Sequence, residues 1–341
     1  MDNLTHTLTG LMLARAGVAK GVPRAGLLLM VAANAPDFDV VSWFGGPEVY
    51  LRYHRWYTHA LVVAPLMAAI SVLIARASLL SRASLLSRDR KGAVPFPWPR
   101  ALLAALIGVL SHVLLDWTNT YGIRLLLPFS TDWLRLDITN VVDLWIWAGL
   151  LLAVIAPALG KLVSSEIGAK SGTGRGWAIF ALAFLLAYDF GRYLIHNRAT
   201  TTLDSHIYDG ANPKRVAAFP HFGNPLSWRG VVETADAYRI FDLNLLTTFD
   251  PTAGRVVYKP EEIPAFGTAR QTPAFRTFLD FSSFPVWRTI PVPEPEGATR
   301  VQVYDLRFGD PQEPRFVAEA LVRRDGHVDQ SNFAFGPMRP R

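Results

Sequence analysis

The chain has 341 residues, of which 50% are hydrophobic and 18% are charged, and it contains no cysteine. Soluble globular chains carry about 25% charged residues, so this composition argues against an ordinary soluble enzyme. The lack of cysteine excludes disulfides, cysteine-ligated zinc, iron–sulfur clusters and thiol nucleophiles. The formal net charge is +6, and the basic excess lies in residues 1–199, between apolar runs. This pattern is typical of membrane proteins and argues against a nucleic-acid partner.

The apolar runs in residues 1–199 predict a membrane domain. The first two, Leu8 to Val18 and Ala25 to Ala35, are too short to cross a bilayer, and we expect them to pack as a helical hairpin. Four later segments reach or approach the roughly 20 residues that a crossing needs. They are Ala60 to Leu80, Ala101 to about Tyr121, Val141 to Val163 and the shorter Trp177 to Leu194. Residues 1–199 are therefore predicted to form an α-helical polytopic membrane domain.

Residues 200–341 change in character to proline-rich loops and short alternating runs. The stretch from Phe316 to Val322, followed by Asp325-Gly326, predicts a β-hairpin, because Asp-Gly favours a tight turn. Thr272 before Pro273 predicts a capped helix start. We expect a small, mainly antiparallel β (α+β) domain that is soluble and lies outside the bilayer.

The short loops rich in arginine and lysine predict the orientation, because such loops stay in the cytoplasm. The connections 82–100 and 161–175 carry these residues. The segments 37–58 and 122–140 are then predicted to lie on the extracytoplasmic side. Residues 200–341 follow the last crossing and are predicted to lie on that side as well.

Histidine and aspartate recur in the first 116 residues, within or beside apolar runs. His112 and Asp116 are four apart, so on a helix they share one face. Asp37 and Asp39 are two apart, so in an extended loop they would point the same way. Each group also fits a local role, such as a His–Asp hydrogen bond, an Asx turn or a pair of interfacial histidines.

The predicted orientation, which rests on the basic loops alone, brings all of these side chains to the outer face. Imidazole and carboxylate together suit zinc, manganese or iron. We therefore expect a shared centre for one or more divalent ions, most simply zinc. Its predicted ligands are His6, Asp37, Asp39, His54, His59, His112 and Asp116.

These motifs, in their order and spacing, resemble the bacterial YdjM family over about residues 1–160. They are Asn3-Leu-Thr-His6, Pro36-Asp37-Phe-Asp39, His54-Arg-Trp-Tyr-Thr-His59 and His112-Val-Leu-Leu-Asp116. The resemblance implies a multi-pass protein of the bacterial inner membrane. It also implies a metal-dependent, phospholipase-like hydrolase with these histidines and aspartates as ligands.

A metal centre at the membrane surface favours hydrolysis of an ester or phosphodiester in a lipid-like substrate. Asp39 or Asp116 is the expected proton acceptor. Arg55 is expected to hold an anionic phosphate, although it equally suits an interfacial arginine that meets lipid headgroups. Membrane lipids are the expected partners. Two alternatives stay open: an ion- or proton-coupled transporter, and a non-catalytic membrane scaffold with a structural metal.

Overall fold

The computed structural model describes residues 1–86, 95–166, 174–292 and 296–336. Its contacts divide the chain into two compact units. The first, here the helical unit, comprises Met1–Asp39, Arg55–Asn197 and Pro220–Leu226. The second, here the β-rich unit, comprises Val40–His54, Arg198–Phe219 and Ser227–Arg341.

Seven helices precede the sheets in chain order. They are α1 (Asn3–Ala16), α2 (Ala25–Ala32), α3 (Pro47–Tyr53), α4 (Ala64–Leu86), α5 (Trp98–Thr118), α6 (Leu144–Glu166) and α7 (Arg175–Asp204). Among the described residues, four stretches are long and apolar enough to cross a membrane, namely Leu61–Leu79, which includes the start of α4, and the helices α5, α6 and α7. This confirms the predicted helical membrane domain. The short helices α1 and α2 contact each other, as expected for a hairpin.

Two glycines let α2 pack closely against its neighbours. A Cβ added at Gly10 of α1 would lie 2.4 Å from the carbonyl oxygen of Leu29, and one at Gly108 of α5 would lie 2.8 Å from the Cβ of Ala32. Only glycine allows such close approach without a backbone shift. This packing fixes the end of α2 against the last turns of α5, and both of these regions carry predicted metal ligands.

The β-rich unit contains two four-stranded antiparallel sheets. The first has the order β1 (Arg215–Pro220), β2 (Ser227–Glu233), β3 (Ala237–Asn244) and β4 (Arg255–Tyr258). The second has the order β5 (Pro285–Pro291), β6 (Thr299–Asp305), β7 (Val317–Val322) and β8 (Val328–Ala334). Two helices, α8 (Pro264–Arg270) and α9 (Pro273–Phe281), connect the sheets. Val231 and Ile240 of the first sheet share one core with Val286 and Val317 of the second.

The local predictions for this unit are confirmed. The strands β7 and β8 form the antiparallel hairpin that turns at Asp325-Gly326. The hydroxyl of Thr272 accepts a hydrogen bond from the Phe275 amide and caps α9. The contacts also group residues 40–54 with this unit, which differs from a single boundary at residue 199. The reason is aromatic packing, since Trp43 and Tyr50 contact Phe335 beyond β8.

The close approach of α1 and α2 can be tested with a pair of glycine substitutions. Gly10→Ala should lower the free energy of unfolding by about 1–3 kcal/mol, because its Cβ would overlap the backbone of α2. Gly26→Ala, within α2 itself, is the matched control, because its Cβ would meet nothing within 4 Å. The control should be neutral or slightly stabilising. Thermal unfolding of the purified protein in detergent measures both, and equal unfolding temperatures would contradict the close packing.

Candidate metal centre

The predicted ligands of the helical unit come from four places in the chain. His6 lies on α1, whose first turn is capped by Asp2 through hydrogen bonds from the amides of Leu4 and Thr5. Asp37 and Asp39 lie in a 3₁₀ segment, Ala35–Gly45, that follows α2. His59 ends a short 3₁₀ turn, Tyr57–His59. His112 and Asp116 lie on α5.

Four of these side chains place one donor atom each around a common point. The group consists of Asp37, His59, His112 and Asp116, all buried, and its donor atoms lie within 4.8 Å of one another. His59 Nε2 lies 3.1 Å from His112 Nε2, 3.2 Å from Asp116 Oδ2 and 3.5 Å from Asp37 Oδ1. His112 Nε2 lies 3.3 Å from Asp116 Oδ2 and 3.6 Å from Asp37 Oδ1. The ligands of a tetrahedral zinc ion are about 3.3 Å apart, so these donors fit such an ion.

The hydrogen bonds of the two histidines decide which ring nitrogen faces the group. His112 Nδ1 lies 2.7 Å from the carbonyl oxygen of Ala33, which can only accept, so Nδ1 is the donor. His59 Nδ1 lies 3.4 Å from the Asp39 carboxylate, which favours the same tautomer. In rings that carry a proton only on Nδ1, both Nε2 atoms direct lone pairs toward each other across 3.1 Å. That arrangement is repulsive by itself and is the one that a metal ion requires.

The charges of the cluster lead to the same conclusion. Asp37, Asp39 and Asp116 contribute three carboxylates, and two cationic groups, the Arg55 guanidinium and the amino group of Met1, contact Asp116. The side-chain oxygens are almost fully buried, with 10% exposure for Asp37, 7% for Asp39 and none for Asp116. Burying charge without compensation is costly. Three carboxylates against these two groups leave negative charge that a bound cation would offset.

Asp37 and Asp39 lie in a 3₁₀ helix and not in the extended loop that the sequence predicts, and one carboxylate oxygen of each lies within 4.8 Å of the other. They lie at opposite nitrogens of one imidazole. Asp37 Oδ1 faces Nε2 of His59, whereas Asp39 Oδ2 faces Nδ1. Asp39 Oδ2 also accepts hydrogen bonds from the Thr58 hydroxyl at 2.7 Å and the Arg55 amide at 2.8 Å. Asp39 therefore orients His59 and lies outside the group of four donors.

Arg55 is buried, and its guanidinium is held by protein acceptors. It donates to Asp116 Oδ1 at 3.0 Å, Asn119 Oδ1 at 3.1 Å and the Gly122 carbonyl at 3.2 Å. Its backbone has φ of 60°, an uncommon conformation for a residue with a side chain. The geometry thus gives Arg55 a role in orienting Asp116. Asn119, for which the sequence analysis proposes no role, completes this arrangement and also donates to Asp116 at 3.3 Å.

His6 adds a further buried imidazole to the cluster. Its ring stacks on His112 with centroids 3.7 Å apart, and its Nε2 lies 3.4 Å from Asp116 Oδ1. Burial lowers the pKa of His6 well below its usual value, so the ring is neutral near pH 7. Neither of its ring nitrogens has a hydrogen-bond partner within the described ranges. Buried polar atoms of this kind are rare without a ligand.

His54 is not one of the four buried donors, but it forms part of a second group of possible ligands together with Asp37 and Asp39. It follows α3 within the β-rich unit, and its ring stacks on Tyr50 with centroids 4.4 Å apart. The structure thus collects His6, Asp37, Asp39, His59, His112 and Asp116 in the helical unit, together with Arg55.

Comparisons with known proteins bear on the whole chain. The family profile described as YdjM inner membrane protein matches residues 1–199. A curated relative, described as uncharacterized protein YfhP of Bacillus subtilis (strain 168), is 26% identical over 345 residues, covering 95% of this chain and 92% of the relative. This match extends over nearly the full length, so it includes both units. No solved structure matches the chain significantly.

The metal centre can be tested by elemental analysis of purified protein. We expect the wild type to retain a divalent metal, and His112→Ala to lose about 90% of it or more, because a lost ligand weakens binding at least as much as a lost supporting residue. His327→Ala, in the exposed turn before β8, should leave the content unchanged. Equal metal in the two variants, or none in the wild type after loading with zinc, manganese or iron, would contradict the site.

Proposed function

Because the chain belongs to the YdjM family of inner membrane proteins, we propose that it is a membrane-bound, metal-dependent hydrolase. Its proposed substrate is an ester or phosphodiester of a lipid-like molecule at the membrane surface. The observation that carries this proposal is the buried group of two imidazoles and two carboxylates, with His6 as an additional donor beside it. Zinc is the ion proposed first, since it accepts both donor types, and manganese and iron suit the same residues.

The additional donor favours catalysis over a purely structural metal. Structural zinc sites are closed by four protein ligands, whereas catalytic sites leave a position for water or substrate. Asp116 faces His59 and His112 through Oδ2 and faces His6 through Oδ1. Oδ1 is held by Arg55 and Asn119, so Oδ2 is the proposed metal donor of Asp116, and His6 is the additional donor beside it. An additional imidazole would allow the coordination number to change without new protein ligands.

A divalent ion held by these residues would supply Lewis-acid activation of water and of the scissile oxygen. The residues themselves have separate roles. Asp39 orients His59 and is the proposed acceptor of the proton from the attacking water. Arg55 holds Asp116 in place and offsets one of the carboxylate charges. A phosphate-binding role for Arg55 requires the substrate to exchange with its protein acceptors.

We propose that the centre and residues 200–341 lie on the extracytoplasmic side. The support is the lysine and arginine content of the connections 82–100 and 161–175. In the helical unit, the proposed ligands lie at the starts of α1 and α4, after α2 and near the end of α5. These are the helix ends opposite the basic connections. An alkaline phosphatase fusion after residue 90 should therefore be inactive, and a fusion after residue 130 should be active.

Hydrolysis can be tested with purified protein in nanodiscs loaded separately with zinc, manganese or iron. Three substrates cover the proposed chemistry: a chromogenic ester, a chromogenic phosphodiester and a fluorescent phospholipid. We expect turnover of at least one of them, and a loss of about 100-fold or more in His59→Ala and Asp39→Asn. Asp132→Asn is the matched control for Asp39→Asn, because Asp132 is exposed.

The outcomes separate the proposed function from its alternatives. Unchanged turnover in both variants would contradict the assigned residues. Retained metal with no turnover of any substrate would favour a structural metal. Metal movement across proteoliposomes that His59→Ala abolishes would favour a transporter.

A further inference from the structure

A loop beside the metal centre carries an unusual set of exposed apolar side chains. The loop joins α5 to α6, and its tip, Leu126–Phe129, exposes Leu126 at 45% and Phe129 at 89%. Leu127 points the other way and is buried at 3%. The buried side chain of Leu127 therefore anchors the tip, whereas Leu126 and Phe129 are exposed.

Two backbone amides at the end of the tip are satisfied within the loop. The amides of Phe129 and Ser130 both donate to the carbonyl of Leu126, at 2.9 and 3.2 Å. Below the tip, Ile123 and Leu134 exchange two backbone hydrogen bonds at 2.9 and 2.8 Å. Satisfied backbone groups lower the cost of contact with hydrocarbon, where unpaired groups are costly.

The tip is continuous with a surface that faces lipid. The amide of Leu61 donates to the carbonyl of Leu125 at 3.1 Å, and Leu61 begins the first candidate span. The outer side of that span is apolar and exposed, with 56% exposure at Val62 and 58% at Leu66. The exposed surface of the tip thus extends the surface of the span. Arg124 lies below the tip, with its guanidinium 4.8 Å from the Trp133 ring, a pairing suited to the headgroup region.

The same loop is bound directly to the metal centre. The Arg55 guanidinium donates to the Gly122 carbonyl at 3.2 Å, and the Arg124 amide donates to the Arg55 carbonyl at 3.4 Å. Arg55 in turn contacts Asp116. The tip therefore begins only two residues after Arg124 and four after Gly122, the positions that contact Arg55.

We infer that the Leu126–Phe129 tip is inserted into the hydrocarbon edge of the bilayer. A second part of the inference rests on the proposed function. It identifies the substrate as a bilayer lipid, which reaches the centre laterally along the tip and not from the aqueous phase. The insertion and the substrate class can be tested separately.

Insertion is tested by fluorescence, which is convenient because the chain contains no cysteine. Phe129→Cys, labelled with an environment-sensitive fluorophore, is placed in nanodiscs that contain lipids with a spin-label quencher in the acyl chain. Leu66→Cys on the exposed side of α4 is the positive control, and Asp325→Cys in the β7–β8 turn is the negative control. We expect the label at position 129 to be quenched by the lipids as at position 66, and to be shielded from aqueous iodide. Quenching by iodide alone would overturn the inference, and so would shielding from both quenchers, which would indicate a protein partner.

The substrate class is tested with Phe129→Ser, which changes a largely exposed side chain outside the metal centre. Hydrolysis of a long-chain phospholipid in nanodiscs should fall by about tenfold, since the variant loses an apolar anchor. Hydrolysis of a short-chain, water-soluble ester should stay unchanged. Equal losses on both substrates would overturn lateral access. If the wild type hydrolyses neither substrate, the proposed function fails, and the fluorescence result still decides whether the tip is inserted.

Discussion

The arrangement of the helical unit depends on one close approach. The Nε2 atoms of His59 and His112 lie 3.1 Å apart among buried carboxylates. The outer nitrogens of both rings contact acceptors, the Ala33 carbonyl and the Asp39 carboxylate, so the lone pairs converge. Without a cation, the cluster would combine lone-pair repulsion with uncompensated negative charge, and a low dielectric strengthens both effects. A divalent ion relieves both. The centre thus links α1, the segment after α2, the turn before α4 and the end of α5.

The sequence could predict this centre because much of its signal is local. His112 and Asp116 share one face of α5, as their spacing requires, and both reach the same nitrogen of His59. Asp37 follows the end of the second apolar run, and this position predicts that Asp37 lies at the outer face. The backbone around Asp37 and Asp39 was not predictable from their spacing, because residues two apart fit an extended loop whereas the segment is a 3₁₀ helix.

The residues that orient the proposed ligands were not predictable from the sequence. Arg55 adopts a positive φ, and its guanidinium meets Asn119 and Gly122, more than 60 residues along the chain. No periodicity encodes such contacts, and charge alone suggested a lipid or phosphate ligand for Arg55. The segment 40–54 is a similar case. Its Trp43 and Tyr50 contact Phe335, which lies almost 300 residues along the chain in the β-rich unit.

Burial limits the direction from which a substrate can reach the centre. The side chains of His6, His59, His112 and Asp116 have no exposed surface, whereas Asp37 and Asp39 keep 10% and 7%. In the proposed hydrolysis, an ester would therefore approach the donors from the side of these two aspartates. Asp39, the proposed proton acceptor, would then lie on the accessible side, with the fully buried side chains behind it. Transition-state stabilisation is largest where charged groups are shielded from water, so with the inferred insertion of the Leu126–Phe129 tip such a centre would favour a lipid ester over a freely soluble one.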